Sequence, residues 1–251
     1  MSMDIDRKNF IKNHYSLFIN AREHYGFTKY EKSLCNYICS YVPKGKMVLE
    51  VAMGTGYPFS DYLQKIGYKA YGIDISPELV EKCKQLYPEI NCKIGDVENI
   101  EYPDNYFDCV CCFQSTWYFP NLNKAIDEMI RVTSDNGLII FDVQNHHNKK
   151  INNNYKKNVF MNTTLIGKTY LYSKNIIKFI LHKKTNWDFV VFETPTYPKN
   201  IYKHFKNKNI TNFQVMTIKK DKSLEIQKVL NDFKEHDRLI FAIIKNNFES
   251  L

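Results

Sequence analysis

The chain has 251 residues, 44% of them hydrophobic and 25% charged, with a formal net charge of +8 at pH 7. This is long for one average domain but ordinary for an α/β domain with an insertion. No apolar run approaches the ~18–20 residues of a membrane span, and residues 1–6 lack a basic-then-apolar signal segment, so no membrane partner is expected and the cytoplasm is the expected address.

Residues 1–45 read as a helical lid. An amphipathic stretch over 10–19 precedes a second helix starting near Thr28, with Leu34, Tyr37, Ile38 and Tyr41 on one face, closed by Pro43 and Gly45. Next, Val48-Leu49-Glu50-Val51 is an apolar run holding one acid, and Ala52-Met53-Gly54-Thr55-Gly56 breaks it with closely spaced small residues. A strand that turns sharply into a helix needs glycine's backbone freedom, and a ligand lying on that backbone needs positions without side chains. The helix starting near Pro58 would aim its first amides at such a ligand. A second strand-like run, 70–73, ends in Asp74, where an acid can reach a ribose hydroxyl. Ser76-Pro77-Glu78 is a helix start with a capping hydroxyl, and Leu79, Val80, Cys83 and Leu86 form its apolar stripe.

Further strands are expected from Phe107 and over 137–141, with a helix between them carrying Leu122, Ala125, Ile126, Met129 and Ile130. Apolar runs alternating with amphipathic helices argue for a parallel sheet covered on both faces. Seven cysteines suit a reducing compartment. Cys109, Cys111 and Cys112 fall in one strand, where neighbours face opposite sides, so they read as small hydrophobes and no metal is expected.

The spacing selects among nucleotide-binding loops. The dehydrogenase pattern G-x-G-x-x-G is absent, whereas Glu50, Ala52, Gly54 and Gly56 resemble motif I of the class I S-adenosylmethionine-dependent methyltransferases, with alanine at the first glycine position. The resemblance continues over about ninety residues through Asp74-Ile75, Gly95-Asp96-Val97, the strand from Phe107, Phe113-Gln114-Ser115 and 137–141. It implies a Rossmann-like seven-stranded, mostly parallel sheet with helices on both faces, an antiparallel last strand and a cap after strand five. It also implies S-adenosylmethionine as cofactor and S-adenosylhomocysteine as product. Asp74 would hold the ribose and Asp96 the adenine amino group. Glu50, Ala52, Gly54, Gly56, Ile75, Val97 and Gln114 would complete the cofactor site.

The whole chain then reads as one domain: lid 1–45, cofactor core 46–145, substrate cap 146–198, and strands completing the sheet within 199–251. From His146 onward, 20 Lys and Arg face 8 Asp and Glu, leaving 15 against 19 before it, so the charge passes from −4 to +12. In this half, Asn152-Asn153-Asn154 reads as a loop, 169–182 and 200–205 as helices, and 187–192, Phe213–Ile218 and 239–245 as strands. The basic half suits an anionic small-molecule acceptor, phosphorylated or nucleotide-linked; the chain also resembles the methyltransferases of bacterial tailoring pathways, which implies a surface-polysaccharide precursor as one such acceptor. His146 and His147, just past strand five, are the expected bases for a hydroxyl acceptor. Ser115, Trp117 and Tyr118, with Tyr15 and Tyr25 from the lid, are the expected acceptor contacts. Nucleic acid is not the expected partner, because neither [N/D]-P-P-[Y/F] nor Pro-Cys follows strand four. A nucleic-acid methyltransferase and a non-catalytic cofactor-binding protein remain the alternatives.

Overall fold

The computed structural model describes residues 8, 9, 12, 26–182, 193–227 and 235–245. Its strands are β1 (Met47–Val51), β2 (Lys69–Asp74), β3 (Asn91–Ile94), β4 (Phe107–Cys112), β5 (Thr133–Gln144), β6 (Phe213–Ile218), β7 (Leu224–Ile226) and β8 (Arg238–Ile244). They form one sheet in the order β3-β2-β1-β4-β5-β8-β6-β7. The first five strands pair in parallel, and β8 enters antiparallel to β5 with Phe141 opposite Phe241. The chain runs outward from β1 to β3 and then returns to β4 on the other side of β1. That reversal opens a crevice at the carboxyl ends of β1 and β4, where open α/β sheets take their ligands.

The helices are α1 (Lys29–Tyr41), α2 (Phe59–Lys65), α3 (Pro77–Leu86), α4 (Leu122–Val132), α5 (Lys149–Thr163), α6 (Leu165–His182) and α7 (Pro198–Asn207). Strand residues alternate between two cores. Leu49, Val51, Val110, Ile139 and Phe141 pack with Ala125 and Met129 of α4 and Ile201 and Phe205 of α7. On the other face, Val48, Cys109, Cys111 and Ile140 meet Leu34 and Ile38 of α1 and Phe59 and Leu63 of α2. Burial on both faces explains why these strands read as continuous apolar runs. It also raises the pKa of the Cys109 and Cys111 thiols.

Local signals account for most helix starts. Thr28 caps α1 in a capping box, its hydroxyl accepting the Tyr30 N–H while the Glu31 carboxylate accepts the Thr28 N–H at 3.0 Å. The buried stripe of α1 is Leu34, Cys35 and Ile38, with Tyr41 at the surface, so it is rotated from the predicted face. Leu86 likewise lies exposed at the end of α3. Ser76 precedes α3 as expected, but its hydroxyl makes no cap; its N–H instead donates to Asp74 Oδ1 at 2.9 Å.

Two other expectations meet a different outcome, and others fall where the structure is not described. The expected loop at Asn152-Asn153-Asn154 lies inside α5, which Asn148 starts by accepting the Lys150 and Ile151 N–H groups; weak helix propensity yields to a good cap. The sheet has β7 as a short edge strand beyond the expected seven, formed where a tight turn at 219–223 folds Leu224–Ile226 back on β6. The expected strand at 187–192 and the helix at 10–19 lie outside the described residues, as do Tyr15 and Tyr25. Among the described residues, no helix is long and apolar enough to cross a membrane.

Candidate active site

A cleft of about 570 Å³, its open mouth included, lies at the carboxyl ends of β1 to β4. Its walls include Ala52, Asp74, Ile75, Asp96, Val97, Ser115 and Tyr118 from the sequence expectations, together with Lys8, Gly95, Glu98, Phe119 and Pro120.

Asp74 ends β2 almost fully buried. Its Oδ2 accepts the Gly54 N–H at 2.8 Å and its Oδ1 the Ser76 N–H, so one carboxylate ties the β1 loop to the start of α3. Gly54 and Gly56 have φ of +63° and +84°, which glycine adopts without steric cost. The loop packs closely behind the cleft: a Cβ on Gly72 would sit 2.0 Å from Met53 Sδ, so β2 needs glycine where Met53 crosses it.

Ala52 takes φ +54° without glycine's freedom. A left-handed L-residue is strained by roughly 1–2 kcal/mol. Ala52→Gly is therefore expected to raise unfolding stability in urea by about 1 kcal/mol, less the gain in unfolded-chain entropy; a drop would mean that packing of the Ala52 methyl dominates.

Asp96 and Glu98 form the other end of the cleft. Lys8 Nζ lies 2.6 Å from Asp96 Oδ2 and 2.7 Å from Glu98 Oε2, while Asp96 Oδ1 accepts the Glu98 N–H. Lys8 was not anticipated from sequence, because a lone lysine in a helical stretch carries no signal of what it reaches 88 residues away.

Glu50 and Gln114 are not among the residues lining the cleft. Glu50, buried in β1, accepts the N–H and hydroxyl of Ser60 on Oε2 at 3.0 and 2.6 Å, fixing the first turn of α2. Gln114 has φ +57°; its N–H donates to Asp142 Oδ1 at 2.6 Å and its side-chain amide to Glu31 Oε1 at 2.8 Å.

Asp142 anchors a network that sequence reading missed. Fully buried in β5, its Oδ2 accepts the Tyr30 hydroxyl at 2.8 Å and Arg238 Nη1 at 2.9 Å, and its main-chain oxygen accepts the Thr116 hydroxyl. The Arg238 guanidinium lies 5.0 Å from the Trp117 ring centre and 5.6 Å from that of Tyr30. Burial, reinforced by the nearby Asp142 carboxylate, holds the Tyr30 hydroxyl well above its usual pKa. The available signal was an acid in the apolar run of strand five. Trp117 belongs to this cluster rather than to the cleft wall, and its carbonyl accepts the Thr194 N–H.

Neither histidine lines the cleft. His146 is 1% exposed, and its main-chain N–H donates to the Thr196 carbonyl at 3.0 Å while its Nδ1 accepts the Thr196 N–H at 2.9 Å. These two bonds join the ends of the 146–196 segment. Nδ1 also lies 3.2 Å from the Thr196 carbonyl, so the Thr196 main chain occupies this ring nitrogen whichever tautomer the neutral ring takes. The rings of Tyr155 and Tyr197 pack against His146, and Tyr197 also packs against His147.

Burial pulls the His146 pKa below its ordinary value of 6.5. Between that lower value and 6.5 the unfolded chain takes up a proton that the buried ring refuses, so the contribution of the buried neutral ring is complete above about pH 6.5 and is lost as pH falls below it. The stability gap between the wild type and His146→Gln should therefore be wider at about pH 7.5 than at about pH 5.5. Denaturant midpoints at both pH values check this, and a gap that widens in acid would contradict a pKa lowered by burial.

A family model for a methyltransferase domain matches residues 49–141. The malonyl-[acyl-carrier protein] O-methyltransferase of Serratia marcescens is 30% identical over 99 residues, 39% of this chain and 38% of that protein. The norajmaline N-methyltransferase of Rauvolfia serpentina is 30% identical over 112 residues, 42% of this chain and 38% of that protein. The chain therefore spans less than two fifths of the length of these relatives. Among solved structures, a SAM-dependent methyltransferase from Thermotoga maritima superposes with a TM-score of 0.59 at 15% identity, covering 96% of this chain and all of that one. A TehB-like SAM-dependent methyltransferase from Corynebacterium glutamicum gives 0.59 at 13% identity, covering 94% and 98%. The sheet order, the switch-point cleft, the matched segment and the shared fold agree: residues 49–141 match a methyltransferase domain, and the chain has the fold of S-adenosylmethionine-dependent methyltransferases.

Proposed function

We propose that the protein transfers a methyl group from S-adenosylmethionine to an oxygen of a small anionic acceptor, phosphorylated or nucleotide-linked, the class that includes surface-polysaccharide precursors. The observation that carries this reading is the cleft's donor set. Two acids, Asp74 and Asp96, end or follow successive strands, and Ile75, Val97, Phe119 and Pro120 supply apolar wall around them. That combination suits a nucleoside, with Asp74 for the ribose hydroxyls and Asp96 for the ring's amino group, and Lys8 giving up one oxygen of Asp96. Gly54, tied to Asp74, sets the course of the loop beside the cleft, and Gly56 lets the loop pack closely on Cys83 and Ile90. In this reading residues 46–145 hold the cofactor, 1–45 form the lid, 146–198 the cap, and 199–251 include the strands that complete the sheet.

When bound, the cofactor supplies a methyl group already activated by its sulfonium. The chain's task is to align the acceptor oxygen and exclude water. Glu50 acts through Ser60 as a positioning residue, and Gln114, held by Asp142 and Glu31, fixes the chain just before Ser115. Ser115 and Tyr118 line the cleft where an acceptor would enter.

The placement of the two histidines supports an anionic acceptor. Neither His146 nor His147 lines the cleft, where a base for a hydroxyl acceptor would be needed. An oxygen that is already negative needs no base. The 143–187 segment adds nine lysines and no acid. O-methyltransferases outnumber the N-methyltransferase among these relatives, which supports oxygen as the acceptor atom. The test is S-adenosylhomocysteine release over a panel of phosphorylated and nucleotide-linked metabolites, with uncharged analogues beside them. Turnover confined to anionic acceptors supports the reading, and turnover confined to neutral ones overturns it.

A further inference from the structure

The exposed face of α6 has no part in the chemistry above. Leu165 is 84% exposed and Ile166 73%, and Tyr170, Tyr172, Ile176 and Ile177 are exposed with them. At about 100° per residue these six side chains fall on one side of the helix. The opposite side is the one turned inward, where Gly167 and Asn175 are buried. Lys168 and Lys174 are exposed and flank the apolar side, one on each edge. Val159 and Phe160 extend the apolar surface onto the end of α5. The helix thus turns six large apolar side chains to solvent, with the small polar Thr169 and Ser173 between them, while Gly167, Asn175 and the half-buried Leu171 face the protein, an inverted arrangement for a surface helix.

We propose that this face lies on an anionic lipid surface, with the apolar side chains entering the headgroup boundary and the flanking lysines meeting lipid phosphates. Charge selects this occupant. No Asp or Glu occurs between Asp142 and Asp188, a stretch holding nine lysines. A second copy docking face to face would set lysine against lysine. Nucleic acid would satisfy the lysines but give Leu165, Ile166, Ile176 and Ile177 nothing apolar to cover them. An apolar stripe edged by lysines, with tyrosines at the boundary, is the pattern of a helix lying in the membrane interface. This is surface association, for which no spanning helix is needed.

The test is sedimentation of the full chain with vesicles of phosphatidylcholine mixed with phosphatidylglycerol, against vesicles of phosphatidylcholine alone, without cofactor or acceptor. Binding is expected to the mixed vesicles and to be weaker by at least about ten-fold to the neutral ones, since each basic residue near the surface contributes about 1 kcal/mol. Ile166→Ser with Ile177→Ser should lower binding to mixed vesicles by at least about ten-fold, with unchanged thermal stability because both side chains are exposed. If that variant fails to fold, Lys168→Glu with Lys174→Glu gives an independent reading and should also weaken binding. Equal binding to both vesicles, no binding to either, or wild-type binding by both folded variants would overturn the proposal. So would a dimer in sedimentation velocity abolished by the serine variant, or binding to duplex RNA in preference to the mixed vesicles.

Discussion

Asp74→Ala is expected to weaken S-adenosylmethionine binding by at least about 100-fold, because two charge-assisted hydrogen bonds to ribose hydroxyls at about 1.5–3 kcal/mol each would be lost. The substitution also affects the empty protein. Asp74 accepts the Gly54 and Ser76 N–H groups inside a nearly buried site, and each stranded amide costs about 1–3 kcal/mol. Calorimetric titration below the variant's melting temperature separates the two effects. Unchanged cofactor affinity in a folded variant would remove Asp74 from the ribose and leave it only as the tie between the β1 loop and α3.

Asp142→Ala should produce the largest loss of stability, about 3–5 kcal/mol. It removes the acceptor of three groups at once, Tyr30 Oη, Arg238 Nη1 and the Gln114 amide, and leaves a cation beside two aromatic rings without its counter-charge. Arg238 keeps 27% exposure, which places the loss toward the lower end. Replacing both Asp142 and Arg238 by leucine should cost less than Asp142→Ala, since no charge is then stranded. Urea unfolding of the single and double variants decides. Additive losses would mean that the pair is not coupled across the β5–β8 register, where Asp142 faces Ile240 and Gln144 faces Arg238.

The difference between these sites shows what sequence could reveal. The placement of Asp74 and Asp96 at one cleft, and of the Gly54–Gly56 turn beside it, was legible because strand–loop–helix geometry ties position to local spacing. Glu50 was legible as the acid before the loop but not as the partner of Ser60, since local spacing does not say what that acid meets. The Asp142 cluster joins residues 112 and 96 positions apart, and no local pattern encodes such a meeting. His146 was found by position, but its chemistry was set by the Thr196 N–H fifty residues on. The α6 face was hidden for another reason: periodicity finds an apolar side without saying whether protein or solvent lies against it.

The paired bonds between His146 and Thr196 have a consequence for how the molecule can change. A long segment leaves the sheet and returns to it at nearly one point, so its length is only loosely tied to the sheet beneath. Doubling a flexible loop costs only about 0.6 kcal/mol in closure entropy. The stretch between those two residues is thus a cassette, open to exchange, insertion or shortening while β5 and β8 keep their register.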